Sequence, residues 1–268
     1  MTPKLSIIIP CYNTESTLGE TLTSVKTQVF ENWEAIIVND SSPDGLERIA
    51  LDWVDKDSRF KYYKKENGGL GDARNFGISK SNGVYILPLD SDNKIRPDFT
   101  KKAINILDQE PSVGVVHGNA MFFGEKEEEW IINQYNFEQM LIKNYIDACA
   151  VYRKSLWKNV NGYDTKMPYQ GNEDWDLWLA FGSIKTTFKH LNEITFDYRV
   201  SKNSMINSFN SEMFAANKSY IRKKYCDYYF FYFNKNFKEL AEFNESPFRS
   251  TLYFFKKWIK SLIVNSGK

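Results

Sequence analysis

The chain has 268 residues and a net charge of +1 from 35 basic and 34 acidic side chains, so no global charge excess points to nucleic acid. That length accommodates one large α/β domain carrying an appendage. Cys11, Cys149 and Cys226 lie far apart without CxxC spacing, which argues against a zinc knuckle or a disulfide framework and fits a reducing compartment.

Met1 leads straight into an apolar run with no basic region or cleavage site, so no signal peptide is expected. No run approaches the roughly 18 to 20 apolar residues that span a bilayer. The unusual figure is the aromatic content of 16%, with 16 Tyr and 20 Phe, much of it after Phe209.

Residues 5–10 read as a parallel strand, β-branched, uncharged and closed by Pro10, which cannot donate to a ladder. Cys11-Tyr12-Asn13 opens a loop, and Ser16 is placed to cap a helix reaching about Thr27, with Leu18, Leu22 and Val25 on one face. Residues 33–38 form a second strand that ends in Asn39-Asp40-Ser41-Ser42-Pro43-Asp44-Gly45. Helical spacing follows over 46–54, then a short third strand over 60–63. Asn67-Gly68-Gly69-Leu70-Gly71 leads into a helix over 72–79 in which Ala73, Phe76 and Gly77 are placed for close packing. A fourth strand over 85–89 delivers Asp90-Ser91-Asp92.

This alternation predicts a mostly parallel, Rossmann-like central sheet flanked by helices, with right-handed crossovers. Polar clusters fall just past each strand end and so converge on one crevice. In an extended tail Asp90 and Asp92 point the same way. Hard oxygen ligands there suit Mg²⁺ or Mn²⁺ carrying phosphates, while a solvated turn is the alternative. The glycine segment 67–77 lacks the Lys-Ser/Thr ending of a Walker A loop and does not spell GxGxxG. It serves either close backbone approach to a ligand, with Arg74 reaching into the crevice, or structure alone.

In the second half, 98–107 is helical in pattern and 113–117 strand-like, and 122–129 reads as an exposed acidic excursion. His117 has no neighbouring Cys or His, so a histidine metal cluster is not expected, and His190 falls in an alternating strand. Residues 147–152 are strand-like, followed by a helical turn over 154–157. Asn172 is placed to cap a helix whose first turn holds Glu173 and Asp174. Asp174 shares a face with Leu177, Trp178 and Phe181, as a hydrogen-bonded structural group or a base on a cleft floor.

Five segments in order resemble the signature of the family 2 glycosyltransferases. They are Ser6-Ile7-Ile8-Ile9-Pro10-Cys11-Tyr12-Asn13, Val38 through Gly45, Asn67 through Gly77, Leu89-Asp90-Ser91-Asp92 and Gly171-Asn172-Glu173-Asp174. The resemblance covers residues 4–205 and implies a GT-A fold, a nucleotide diphosphate sugar donor, a divalent Mn²⁺ or Mg²⁺ and inversion at the anomeric carbon. It places Asp40 at the uracil edge of a UDP-sugar, with Pro10, Tyr12 and Asn13 lining the nucleotide pocket and Arg74 beside them. Asp90 takes the ribose, sugar or metal side, Asp92 the metal, and Asp174 the role of base. The segment 196–205 resembles the family's closing element, often Tyr-Arg-x-His-x-x-Ser. Ser201 stands where relatives carry histidine, which leaves Arg199 and Lys202 as candidates for phosphate charge.

The resemblance implies transfer of a sugar to a hydroxyl of a glycan or lipid-linked acceptor in cell-surface polysaccharide synthesis. The rival reading is an inactive nucleotide-sugar-binding or assembly subunit. Residues 1–208 are expected to form the catalytic domain and 209–268 a helical extension. There Leu252, Phe255, Ile259 and Leu262 form a stripe beside Lys256, Lys257 and Lys260. Such a stripe requires a cover: anionic lipid at the cytoplasmic face of the plasma membrane, a second subunit in a homodimer, or the core itself. Basic and aromatic residues also interleave in nucleic-acid binders, but no binding motif accompanies them.

Overall fold

The computed structural model describes residues 2–202 and 209–246, together with 248, 251 and 253–256. The chain divides into two compact units, 1–220 and 221–268.

The first unit begins with β1 (Leu5–Cys11), α1 (Leu18–Lys26), β2 (Trp33–Asn39), α2 (Leu46–Lys56), β3 (Phe60–Lys64), α3 (Leu70–Lys80) and β4 (Tyr85–Pro88). It continues with β5 (Lys94–Ile95), α4 (Phe99–Gln109), β6 (Val113–Gly124), β7 (Glu128–Trp130), α5 (Phe137–Ile142), β8 (Val151–Arg153), α6 (Lys154–Asn159), α7 (Glu173–Ser183) and β9 (Thr187–Val200). Helix α8 (Ser211–Lys224) straddles the boundary, and α9 (Cys226–Glu245) lies in the second unit.

All residues of β1 and β2 are buried, as expected for strands covered on both faces. Helix α3 packs close on them: a Cβ at Gly77 would lie 2.7 Å from Ile8 Cγ2 and 2.9 Å from Val38 Cγ2. Pro10 does not end β1, which runs on to Cys11. Pairing with β4 stops at Ile8, so a residue without an N–H is tolerated beyond that point. The α1 N-cap is Thr17 rather than Ser16, with no side-chain capping bond.

The sheet is α/β in character but mixed, with order β3-β2-β1-β4-β8-β6-β9-β5 and β7 paired to β6. The mostly parallel expectation holds from β3 to β4 and again between β6 and β9, and fails at β8, β5 and β7. Strand β8 lies antiparallel between β4 and β6, and β5 and β7 are antiparallel to β9 and β6. After α4 the strict alternation of strand and helix stops, and the short link from β6 to β7 suits an antiparallel hairpin. Strands β6 and β9 pair in parallel. They run in the same direction as β1, β2 and β4, so the carboxyl ends of all five reach one edge.

Two further expectations change. The acidic excursion is a hairpin, with β6 extending to Gly124 and β7 returning over Glu128–Trp130. Strand β8 starts only at Val151, which leaves Asp147 in the preceding loop. The two histidines, distant in sequence, are register partners on β6 and β9 with ring centroids 5.1 Å apart.

In the second unit α9 carries Phe230, Phe231, Phe233, Phe237 and Leu240 exposed, and the rings of Phe233 and Phe237 stack at 6.0 Å. Most of the expected stripe (Leu252, Lys257, Ile259, Lys260 and Leu262) lies outside the described residues. Among the described residues no helix is long and apolar enough to cross a membrane.

Candidate active site

A cleft of about 1380 Å³ opens in the first unit, and Pro10, Tyr12, Asn13, Asp40, Arg74, Asp90, Asp92, Asp174 and Arg199 all line it. Tyr12, Asn13, Asp40, Asp90 and Asp92 gather because the loops after β1, β2 and β4 leave the same sheet edge. Helices α3 and α7 and the end of β9 bring Arg74, Asp174 and Arg199 to it. Asn13 and Ser41 both hold positive φ, 56° each, a conformation that Asn and Ser tolerate in turns. The Asn13 N–H donates to Ser42 Oγ at 2.8 Å, Ser42 Oγ donates to Asp44 Oδ1 at 2.6 Å, and Glu15 N–H donates to Asp44 Oδ2 at 2.7 Å. The loops after β1 and β2 are therefore fastened to each other.

Asp40 is buried and organises the glycine segment. Its Oδ1 accepts from Gly68 N–H at 3.0 Å and Lys65 Nζ at 2.8 Å, and its Oδ2 accepts from Gly69 N–H at 2.8 Å. Gly69 caps α3 with φ +87°, and a Cβ there would strike the Gln170 amide. Leu70 N–H donates to Gln170 Oε1 at 2.7 Å, so the loop leading to α7 rests on the start of α3. The glycine segment thus serves close backbone approach, to protein groups as well as to the cleft.

Arg74 is the buried link beneath the carboxylates. Its Nη1 lies 2.5 Å from Glu173 Oε1 and its Nη2 lies 2.5 Å from Asp90 Oδ1. Glu173 is therefore committed to an ion pair, and its Oε2 also accepts from Gly171 N–H at 2.8 Å. Asn172 occupies the N-cap of α7 but makes no capping bond; its Oδ1 instead accepts from Asn217 Nδ2 at 3.0 Å.

Asp174 is partly exposed to the cleft and accepts from Asn144 Nδ2 at 3.1 Å. Burial, then the charges of Glu173 and Asp147, push its carboxyl well above the usual range, with Arg74 opposing. Burial and the neighbouring Asp90 raise Asp92 to about 6. Asp147, given no role by the sequence, is raised to about 7 by burial and Asp90, and also lines the cleft. The available signal was a carboxylate opening the apolar run Ala148-Cys149-Ala150-Val151.

Arg199 Nε donates to the Asp92 carbonyl at 3.0 Å, and its Nη2 lies 2.9 Å from Glu20 Oε2. Its charge is already partly neutralised. Ser201 and Lys202 follow, and the rest of that element, from Asn203 to Met205, lies outside the described residues.

Among the described residues no three His, Cys, Asp or Glu side chains converge to hold a metal. Asp92 nevertheless suits a hard cation. It is partly buried beside a second carboxylate, and no ion pair to it occurs among the described residues. Such a site is completed by phosphate oxygens and water rather than by a protein cage.

Residues 6–160 match the family model described as Glycosyl transferase family 2, more than half of the chain. The chain belongs to this family. It is 29% identical over 228 residues to the uncharacterized glycosyltransferase RT0329 of Rickettsia typhi, covering 81% of this chain and 68% of that protein. It is 27% identical to the putative glycosyltransferase EpsH of Bacillus subtilis, covering 80% and 66%. Among solved structures, S. aureus TarS 1-349 in complex with UDP-GlcNAc superposes with a TM-score of 0.66 at 20% identity, over 80% of this chain and 64% of that one. The mannosyltransferase PcManGT from Pyrobaculum calidifontis, in complex with GDP-Man and Mn2+, gives 0.59 at 17% identity, over 76% and 59%. The chain thus spans about two thirds of the length of these relatives, and this family 2 member has the GT-A fold.

Proposed function

We propose that this family 2 member is an inverting glycosyltransferase that moves a sugar from a UDP-sugar to a hydroxyl of a glycan or lipid-linked acceptor in cell-surface polysaccharide synthesis. The observation that carries this reading is the division of labour between adjacent carboxylates. Glu173 is spent on Arg74 and the Gly171 N–H, while Asp174 lines the same cleft as Asp90 and Asp92 and takes part in no ion pair among the described residues.

In this reading the loops after β1 and β2 hold the nucleotide, with Pro10, Tyr12 and Asn13 as walls and Asp40 toward the base. Arg74 fixes Asp90 at the sugar side, and Arg199 lies toward the phosphates. Asp92, with Asp90 beside it, would hold Mn²⁺ or Mg²⁺, which neutralises charge on the departing diphosphate. Asp174 takes the proton from the acceptor hydroxyl as that oxygen bonds to the anomeric carbon. The bond from that carbon to the diphosphate oxygen breaks on the opposite face, so configuration inverts. A carboxyl raised by burial is a stronger base once ionised, which suits it to an alcohol proton.

The second unit would keep the enzyme at the cytoplasmic face of the plasma membrane. Residues 221–268 contain ten Lys or Arg against four Asp or Glu, together with the exposed aromatic face of α9.

The test is a donor panel of UDP-glucose, UDP-galactose, UDP-GlcNAc and GDP-mannose with Mn²⁺ or Mg²⁺, reading nucleotide release. Release of UDP from one of the UDP-sugars is expected. Release of GDP alone would overturn the nucleotide assignment. Tight donor binding without release, across glycoside acceptors, would favour the inactive subunit.

A further inference from the structure

The hairpin of β6 and β7 brings a group of aromatic rings to the cleft that no motif announced. Phe122 pairs across to Tyr198 on β9 and to Glu128 on β7, and Trp130 lies two residues beyond Glu128. Side chains two apart on a strand share a face, so Phe122, Trp130 and Tyr198 come together. The Phe122 and Trp130 rings stack at 5.5 Å and 14°, and Tyr198 meets them edge-on at 5.6 and 6.0 Å. Lys126 in the hairpin turn holds its Nζ 4.9 Å from the Phe122 ring centroid. All four residues line the cleft.

Packing explains part of this. Trp130 and Tyr198 rest against the hydrophobic core, and aromatic residues at a core margin need no ligand. Packing does not explain why the cluster stays partly exposed and faces a cleft floored with carboxylates. The Tyr198 phenol is raised by burial and then by the charges of Asp147, Asp90, Asp92 and Asp174, which puts the wall in electrostatic reach of the base.

Position along the sheet selects the occupant. The proposed nucleotide loops follow β1 and β2, the Asp90–Asp92 segment follows β4, and the aromatic wall stands on β6 and β9, on the other side of β4. A nucleotide over β1 and β2 with its diphosphate at Asp92 leaves the wall for whatever approaches the anomeric carbon. A pyranose has one apolar face of C–H groups and a rim of hydroxyls. It matches a flat aromatic surface bordered by an amine and carboxylates.

We propose that Phe122, Trp130 and Tyr198, with Lys126 at their edge, form the acceptor subsite, on which a pyranose ring stacks while one hydroxyl is turned toward Asp174. This rests on the transferase reading above and adds the chemistry of the acceptor: a sugar ring rather than a bare lipid alcohol or a protein hydroxyl.

The test uses the full chain and a panel of methyl α- and β-glycosides. Trp130→Leu keeps an apolar side chain but removes the flat face, so the acceptor KM should rise tenfold or more while the Kd for UDP moves less than twofold. Trp130→Phe should recover most of the loss. Because Trp130 also packs on the core, Phe122→Leu provides a second variant with the same expected split. Titrating the labelled parent with the glycosides should shift the Trp130 indole N–H. An unchanged acceptor KM in both leucine variants would overturn the proposal, as would a loss of UDP affinity that exceeds the KM effect. If the parent releases no nucleotide from any donor, the transferase reading falls separately, and the indole titration still decides whether the wall holds a sugar.

Discussion

Arg74 Nη1 and Glu173 Oε1 stand 2.5 Å apart with both side chains buried, joining α3 to α7 beneath the cleft. Breaking such a pair from one side leaves a buried charge uncompensated and costs about 3–5 kcal/mol. Glu173→Gln keeps an acceptor and should fall near the low end, because Arg74 retains Asp90. Asp174→Asn should behave oppositely. It removes a carboxylate whose charge is disfavoured by burial and by Glu173 and Asp147, so its Tm should equal or exceed the parent's while transfer is lost. Thermal melts beside turnover assays check both. A stable, inactive E173Q with an active D174N would reverse the assignment.

Asp92→Ala should abolish metal-dependent donor binding with little change in melting. The carboxylate takes part in no ion pair among the described residues, so the fold loses little when it goes. Calorimetric titration of UDP with and without saturating Mn²⁺ reads the effect. Equal UDP affinity in parent and variant under saturating Mn²⁺ would remove Asp92 from the site.

Asn217 on α8 is fully buried, and both ends of its amide are engaged. Nδ2 donates to the Tyr169 carbonyl at 2.8 Å and to Asn172 Oδ1 at 3.0 Å, and Oδ1 accepts from Tyr169 N–H at 2.9 Å. The loop it grips leads directly into Asp174. Asn217→Ala should cost about 1–3 kcal/mol from the groups left unpaired. As a positioning residue it should also lower kcat more than it raises the donor KM. A stability loss with an unchanged kcat would make it structural only.

Much of this site was legible because its signals are local. Each of β1, β2 and β4 ends in polar residues within a short stretch of sequence, and Asp40, Asp90 and Asp174 line one cleft. What escaped depends on tertiary register. A three-residue β8 has too little sequence to declare its direction, and the hairpin reads as acidic because Glu125 and Glu127 in its turn and Glu128 and Glu129 on β7 are exposed, while Phe122 and Trp130 are half-buried. Glu173 and Asp174 are neighbours in one helical turn, and only the partner Arg74, far away in sequence, tells them apart.

The α9 face predicts membrane behaviour. Phe230, Phe233 and Phe237 are each more than 60% exposed on one side of the helix. Vesicles containing anionic lipid should co-sediment the full chain, salt should weaken the binding, and neutral vesicles should bind less. A chain that sediments as a salt-insensitive dimer and ignores both vesicle types would assign that face to a second subunit.

His117 is buried on β6 against His190 and Phe188, with neither ring nitrogen partnered among the described residues. Burial, then the neighbouring His190, depresses its pKa from 6.5 to about 3. The unfolded chain therefore binds a proton near pH 6.5 that the folded chain refuses until about pH 3. Stability from this group is fully present above the unfolded value and is lost as pH falls through that window, by about 1.4 kcal/mol per pH unit. Asp92 and Asp147, raised to about 6 and 7, act in the opposite sense, because folding makes them bind protons more readily. The comparison must therefore be a difference. His117→Phe keeps an aromatic ring without the titration, so denaturation midpoints of variant and parent should diverge in the variant's favour from pH 6 down to pH 4. Parallel pH profiles would show that His117 is protonated in the folded chain, or that water reaches it.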